Sequence, residues 1–340
     1  MDDDCPFGRR FAGAARGGQF DGLVAAIIAR ASSVIEYWRL IRPRIVGLVL
    51  AAMLVSAWTA AETTPRWPPL LHALLGSAGV IVGAVAFNQR MECRSDSKMA
   101  RTADRPLPSG RLTTGQVTRF GVLATLAGSM YLAVFGNLIL LSLAILSWIF
   151  YVAAYTPMKK RSVWQTPVGA VAGAMPVLLG AAAVNAVESR LAWYLFGLVF
   201  LWQFPHSMSI AWLYRREFAA AEVRVASVID DSGRTAGRLA ILGAALLLPE
   251  SILPSFLSLT SWEYGVIAGI LGIAYLWFSI RFYLAPTDQT ARRLLRMSLV
   301  YLPLVFMMLL VSPRSTSEKS PSNIISTSNT FLTTSTLVTD

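Results

Sequence analysis

The chain has 340 residues, of which 55% are hydrophobic and only 14% charged, with a mean hydropathy of +0.54. A soluble domain carries about 25% charged residues, so this composition excludes an ordinary water-soluble globule and points to lipid as the main solvent. The net charge of +11 would suggest nucleic acid in a soluble chain, but here the basic residues fall between apolar runs and are read as membrane orientation, with no nucleic-acid partner.

In chain order, residues 1–38 read as a cytoplasmic arm. Its first 20 residues hold Asp2, Asp3, Asp4, Arg9, Arg10 and Arg16 and no apolar core, so no cleavable signal peptide is expected. The stretch 22–38 suits an interfacial helix leading into the first span. Crossing a ~30 Å hydrocarbon core takes roughly 20 apolar residues. Runs of that kind are predicted at 44–61, 69–89, 115–135, 137–156, 167–186, 192–213, 239–259, 263–284 and 295–312. The third and fourth meet at a tight turn at Gly136-Asn137. The seventh is the least regular, with Pro249, Glu250 and Pro254, though proline is tolerated in a membrane helix whose neighbours satisfy the freed backbone groups. The expected fold is therefore an all-α integral membrane bundle of about nine transmembrane helices over 39–312. Residues 313–340, rich in Ser and Thr, are expected to form a disordered tail on the outer face. The two cysteines, Cys5 and Cys93, are too few for a disulfide framework and lack a CxxC spacing.

Lys and Arg alternate with the spans. Seven lie up to Arg44, seven between spans two and three, three at 159–161, five between spans six and seven and four between spans eight and nine. The opposite loops hold only Arg66 and Arg190. This bias predicts a multi-pass cell (inner) membrane protein with its amino terminus cytoplasmic and its carboxy-terminal tail outside.

The loop after span two carries the chemistry. Asn88, Glu92 and Asp96 are four residues apart and so share one helix face where the span leaves the membrane. Such oxygen ligands suit Mg²⁺, which takes one or two carboxylates and completes its shell with water and phosphate oxygens. Arg101 and Arg105 follow on the same spacing, and guanidinium groups bind phosphate oxygens bidentately. An acid–metal–phosphate–arginine set can hold a diphosphate, although a basic loop with acid–base pairs at i,i+4 is equally an ordinary helix surface. A second polar group, Gln203 and His206 in Trp202-Gln-Phe-Pro-His206-Ser207, lies inside an apolar span. Intramembrane polar residues mark a pathway or site, or simply bond a neighbouring helix. Glu217 offers a second metal carboxylate or a surface pair with Arg216. His72 reads as structural, and Glu250 as an unexplained ionisable group nearer the outer face.

Three stretches together resemble one family. Asn88, Asp96, Met99, Arg101, Thr102, Arg105, Pro106, Leu107 and Pro108 match the signature of the haem O synthases (protohaem IX farnesyltransferases) within the UbiA-type intramembrane prenyltransferase superfamily. Tyr155-Thr156 with Lys159, Lys160 and Ser162, then Gly169, Gly173, Ala174 and Pro176, is similar to that family's second cytoplasmic loop and next helix. Trp202-Gln203-Phe204-Pro205-His206 resembles its Trp-Gln-x-Pro-His segment, which sets it apart from the quinone-making relatives. The resemblance runs from about 38 to 312. It departs at Glu92 (Asp in the family), at Glu217-Phe218 (Asp-Tyr) and at Glu222-Val-Arg224-Val-Ala-Ser (Gly-x-Pro-Met-Leu-Pro).

The resemblance implies helices around a central cavity and transfer of a farnesyl group from farnesyl diphosphate to a vinyl group of haem b. Asn88, Glu92 and Asp96 would hold Mg²⁺, with Glu217 a further catalytic carboxylate. Arg101, Arg105, Lys159 and Lys160 would bind diphosphate, while His206 and Gln203 would face the haem, a substrate here. A downstream haem-modifying enzyme or terminal oxidase would take the product. A transferase for an aromatic or quinone precursor, and a non-catalytic haem-binding or transport protein, are the other expectations.

Overall fold

The computed structural model describes residues 33–61 and 63–311. The expected arm up to residue 32 and the Ser/Thr-rich tail lie outside the described residues. Among those described, all regular structure is helical. A short helix α1 (33–41) occupies the end of the expected interfacial stretch. It is followed by α2 (Pro43–Ala60), α3 (Trp67–Asp96) and α4 (Thr114–Phe135). The next span starts as α5 (Leu138–Trp148), passes through a π-helical segment at Ile149–Tyr155 and ends as α6 (Thr156–Met158). Then come α7 (Gln165–Ala183), α8 (Arg190–Leu213), two short pieces α9 (Arg215–Ala220) and α10 (Ala226–Ile229), and finally α11 (Arg234–Phe256), α12 (Trp262–Leu284) and α13 (Asp288–Val311). Eight of these spans are long and apolar enough to cross a membrane. The ninth long helix, α8, has 24 residues, but Gln203, Pro205 and His206 dilute its apolar run. The expectation of about nine long helices therefore holds. Helix α11 stays continuous through Pro249 and Pro254.

Local chemistry sets the ends. Thr113 and Gln116 form a reciprocal capping box at the start of α4. The turn expected at Gly136-Asn137 is made by Asn137, whose side chain accepts from Leu140 N (2.8 Å) and donates to the Ala182 carbonyl (2.7 Å), tying the turn to α7.

The bundle has two halves joined by α7. One core packs α8, α11, α12 and α13 around Leu247, Tyr275, Phe282 and Tyr301; the other packs α2, α3, α4 and α5 around Met53, Leu70, Leu132 and Leu140. Both reach α7, whose run of Ala and Gly lets backbones approach from either side. Gly180 lies against the Met53 carbonyl and Gly173 against the Gln203 amide. Helices α3 and α4 meet through Gly79 and Gly128. A methyl on Gly128 would stand 2.6 Å from Val80 N and 2.7 Å from Gly76 O.

At one end the connecting segments fold over the bundle. Thr102 donates to the Asp96 carbonyl (2.9 Å), and Arg111 bridges Glu36 of α1 and Asp104, each at 2.8 Å. Segment 97–113 is thereby packed, with Leu107 and Leu112 buried against Leu40 and Ala86. Segment 214–225 bridges this loop and the next: Lys98 pairs with Glu222 (2.6 Å), Arg224 N donates to Lys159 O (2.8 Å) and Gln165 Nε2 donates to Arg224 O (2.7 Å). Glu222, standing where the resembled family has Gly, adopts φ +60°.

Two expectations follow. Backbone atoms cannot yield to a side chain at Gly128, so Gly128→Leu should cost about 1–3 kcal/mol by overpacking. Gly47→Ala, which meets nothing within 4 Å, should be neutral to slightly stabilising; thermal unfolding in detergent compares them, and equal effects would contradict the packing. At Glu222 the left-handed backbone costs a side-chain-bearing residue roughly 1–2 kcal/mol, so Glu222→Gly should be about 1 kcal/mol more stable than Glu222→Ala, the reverse of the usual ranking. The exposed ion pair to Lys98 should add no more than about 1 kcal/mol, screened by salt.

Candidate active site

A cavity of about 670 Å³ opens where the packed loops meet α3, α6, α7 and α8. Its size lies in the range of small-molecule sites. One end is charged, lined by Asn88, Glu92, Asp96, Arg101, Arg105, Lys159 and Lys160. The body is mostly apolar, lined by Val49, Val80, Ile81, Ala144, Trp148 and Leu179. Gln203 and His206 line it from α8.

Asn88, Glu92 and Asp96 reach this wall because they share the face of α3 that looks inward at its end, and Asn88 and Asp96 are buried there. Each has a defined partner. Asp96 forms an ion pair with Arg105, and Glu92 with Lys159. Asn88 Nδ2 donates to Thr156 Oγ1 at 3.0 Å, while the Thr156 hydroxyl donates to the Tyr151 carbonyl at 2.8 Å. The single hydroxyl proton of Thr156 is thus spent, so the Asn88 amide must donate to it. That leaves Asn88 Oδ1 with its acceptor capacity, on a residue that lines the cavity. The π-helical segment supplies the geometry, since its wider turn, closed by Thr156 N on Tyr151 O, puts the Tyr151 carbonyl under Thr156.

Positive charge exceeds negative here. Burial works against the Lys159 ammonium, but the adjacent Glu92 carboxylate and the Tyr155 ring 4.5 Å away outweigh it, and its pKa lies above the ordinary lysine value. Arg101 lies over the Tyr214 ring at 4.9 Å. Arg42, at φ +52° between α1 and α2, also lines the cavity. Burial, then the neighbouring Arg105 guanidinium, push its pKa down. An arginine keeps its proton regardless, so Arg42 adds a buried positive charge to this wall.

On α8, Trp202 stacks on His206 (4.7 Å between ring centres, 20° apart), and His206 Nδ1 lies 2.8 Å from Ser298 Oγ on α13. Gln203 Nε2 donates to the carbonyls of Ala170 (2.9 Å) and Val199 (3.0 Å).

The structure therefore brings nine of the ten residues singled out in the sequence to one cavity. Glu217 is the exception. The chain turns after Leu213, and the Glu217 carboxylate lies 3.5 Å from the Arg101 backbone nitrogen; Phe218 lines the cavity instead. Among the described residues no three or more His, Cys, Asp or Glu cluster as a metal site. The donor set is one amide and two carboxylates, hard oxygens of the kind Mg²⁺ accepts when substrate phosphates complete its shell. Sequence reasoning missed Arg42, which reads as one more orienting charge, and Tyr151 and Ser298, which look like ordinary residues of their spans. His72 lies elsewhere, bonded to Tyr131 (2.7 Å) and stacked on Phe135, in agreement with a structural role. Glu250 packs against Gly197, away from the cavity.

Comparison with known proteins gives the same picture. The profile of the UbiA prenyltransferase family matches residues 49–307. A protoheme IX farnesyltransferase of Solibacter usitatus is 36% identical over 285 residues, covering 81% of this chain and 98% of its own. One of Opitutus terrae is 38% identical over 273 residues, covering 79% and 92%. The mitochondrial protoheme IX farnesyltransferase of Arabidopsis thaliana is 32% identical over 275 residues, covering 80% and 63%. Among solved structures, one of a digeranylgeranylglyceryl phosphate synthase superposes with a TM-score of 0.68 at 17% identity, covering 82% of this chain and 97% of that one. A UbiA homologue from Archaeoglobus fulgidus bound to DMAPP and Mg²⁺ gives 0.56 at 16% identity, covering 81% and 99%. These likenesses show the fold, and the sequence matches show the lineage: this multi-pass chain belongs to the UbiA prenyltransferase family.

Proposed function

We propose that this prenyltransferase moves the farnesyl group of farnesyl diphosphate onto a vinyl group of haem b, giving haem O. One observation carries the reading: a single cavity joins a cationic mouth, an apolar body and an imidazole, and it does so in a chain that covers nearly the whole length of bacterial proteins named for that reaction.

The roles follow from the contacts. Arg105 and Lys159 already hold carboxylates and would exchange them for diphosphate oxygens, joined by Arg101, Lys160 and Arg42. Asn88 Oδ1, Glu92 and Asp96 would then be released toward a magnesium ion, which when bound supplies Lewis-acid neutralisation of the leaving group. Glu217 would act at one remove, holding the backbone of Arg101. When the farnesyl C1–O bond breaks, its electron pair leaves with the diphosphate. The cationic side chains stabilise that charge in a site already organised for it. The vinyl group attacks the allylic cation left behind with its outer carbon, so the positive charge passes to its inner carbon; water adds there, and its surplus proton goes to the released diphosphate, leaving the hydroxyl of the product. The apolar walls around Val80, Ile81 and Leu179 keep bulk water away until then. His206 would ligate the haem iron. The distribution of Lys and Arg supports a cytoplasmic mouth in a cell inner membrane, and a haem-modifying enzyme or terminal oxidase would take the product.

Expressed in a strain lacking its own haem O synthase, the folded protein should give extractable haem O. Haem b alone would overturn the reading, and transfer to an aromatic or quinone precursor instead would reassign the acceptor. Asp96→Asn should lower turnover roughly 100- to 1,000-fold, as loss of one preorganised electrostatic partner does. Chelating the divalent metal should stop the reaction, and added Mg²⁺ should restore it.

A further inference from the structure

The proposed contact of His206 with haem iron requires one ring nitrogen to carry a free electron pair, and the fold fixes which. Ser298 is fully buried on α13, facing α8. Its hydroxyl donates to the Leu295 carbonyl at 2.7 Å. A serine hydroxyl has one proton. While that proton goes to Leu295, the oxygen, 2.8 Å from His206 Nδ1 and also bonded to Tyr275, is the acceptor, and Nδ1 carries the hydrogen. In a neutral imidazole that leaves the lone pair on Nε2. No group among the described residues bonds Nε2, and His206 lines the cavity. The same residue holds the ring in place a second way: Trp202, stacked on the imidazole, donates its indole N–H to the Ser298 carbonyl at 2.9 Å.

We infer that Ser298 is a positioning residue that sets the tautomer and orientation of His206, so that Nε2 is presented as the ligand to the iron of a haem-type substrate. The inference rests on the proposed haem acceptor and extends it to a helix that carries none of the sequence motifs. Metal-ligating histidines are generally oriented through a hydrogen bond from their other ring nitrogen, and loss of that partner typically costs 10–100-fold in affinity or activity.

The test is haem b binding to the purified full-length chain, followed by absorption and electron paramagnetic resonance spectra, with farnesyl diphosphate binding measured alongside. Ser298→Ala should weaken haem binding roughly 10–100-fold and shift the spectrum away from the imidazole-ligated form, leaving farnesyl diphosphate binding intact. Ser298→Thr, which keeps the hydroxyl, should restore both. His206→Ala should abolish the imidazole signature. If Ser298→Ala keeps the wild-type spectrum and affinity while His206→Ala loses them, His206 is a ligand that Ser298 does not position, and the inference is overturned. If His206→Ala also leaves the spectrum unchanged, the assignment of His206 falls with it. Loss of farnesyl diphosphate binding in both Ser298 variants would mark the position as one that only packs the bundle and would equally overturn the inference.

Discussion

The site depends on pairing opposite charges at the end of an apolar cavity. Asp96 is almost wholly buried and Arg105 mostly so, and each supplies the opposite charge that the other lacks from water. Removing one partner from a buried pair costs about 3–5 kcal/mol, because the other is left uncompensated. The Glu92–Lys159 pair obeys the same constraint between α3 and the loop after α6. The pairs keep the mouth folded and charged in a largely apolar protein. They also make it responsive: an incoming anion can take the cations only if something else takes the carboxylates. In the proposed reaction, a divalent cation arriving with a diphosphate would satisfy both sides at once, with no ion left unpaired.

The rest of the fold serves that constraint. Helix α7, small-residued and buried between the two halves, sets their spacing and brings Gln203 of α8 against Gly173. The π-helical segment places Thr156 to accept from the Asn88 amide nitrogen, fixing that side chain at the cavity wall. Segment 214–225 ties the loops bearing Arg101 and Lys159 to each other, holding the cationic groups on one rim. Arg42 reaches that rim at the expense of a left-handed backbone, and such strain concentrates at functional sites.

Much of this was legible in the sequence because it rests on periodicity. Apolar runs gave the spans, and the four-residue spacing of Asn88, Glu92 and Asp96 put three oxygen-bearing side chains on one face, which no tertiary contact had to decide. What was not legible depends on tertiary contact. The turn after Leu213 sets the Glu217 carboxylate beside the Arg101 backbone nitrogen, a contact no local pattern announces. Arg42 was indistinguishable from the charges that orient any membrane protein. Ser298 resembles the many membrane serines that bond their own helix, and it does so; only its contact with His206 gives it a further role. The π-helical segment answers a demand from α3 and leaves no pattern of its own.

The central claim is that metal and diphosphate enter this mouth together by exchanging partners with the two ion pairs. The direct measurement is the affinity of the purified protein for the unreactive analogue farnesyl thiodiphosphate, with and without Mg²⁺, in the wild type and in Asp96→Asn. The account predicts that Mg²⁺ tightens binding at least tenfold in the wild type, which is about 1.4 kcal/mol of coupling, and that the coupling disappears in the variant. Affinity independent of Mg²⁺, or coupling that survives in Asp96→Asn, would contradict it.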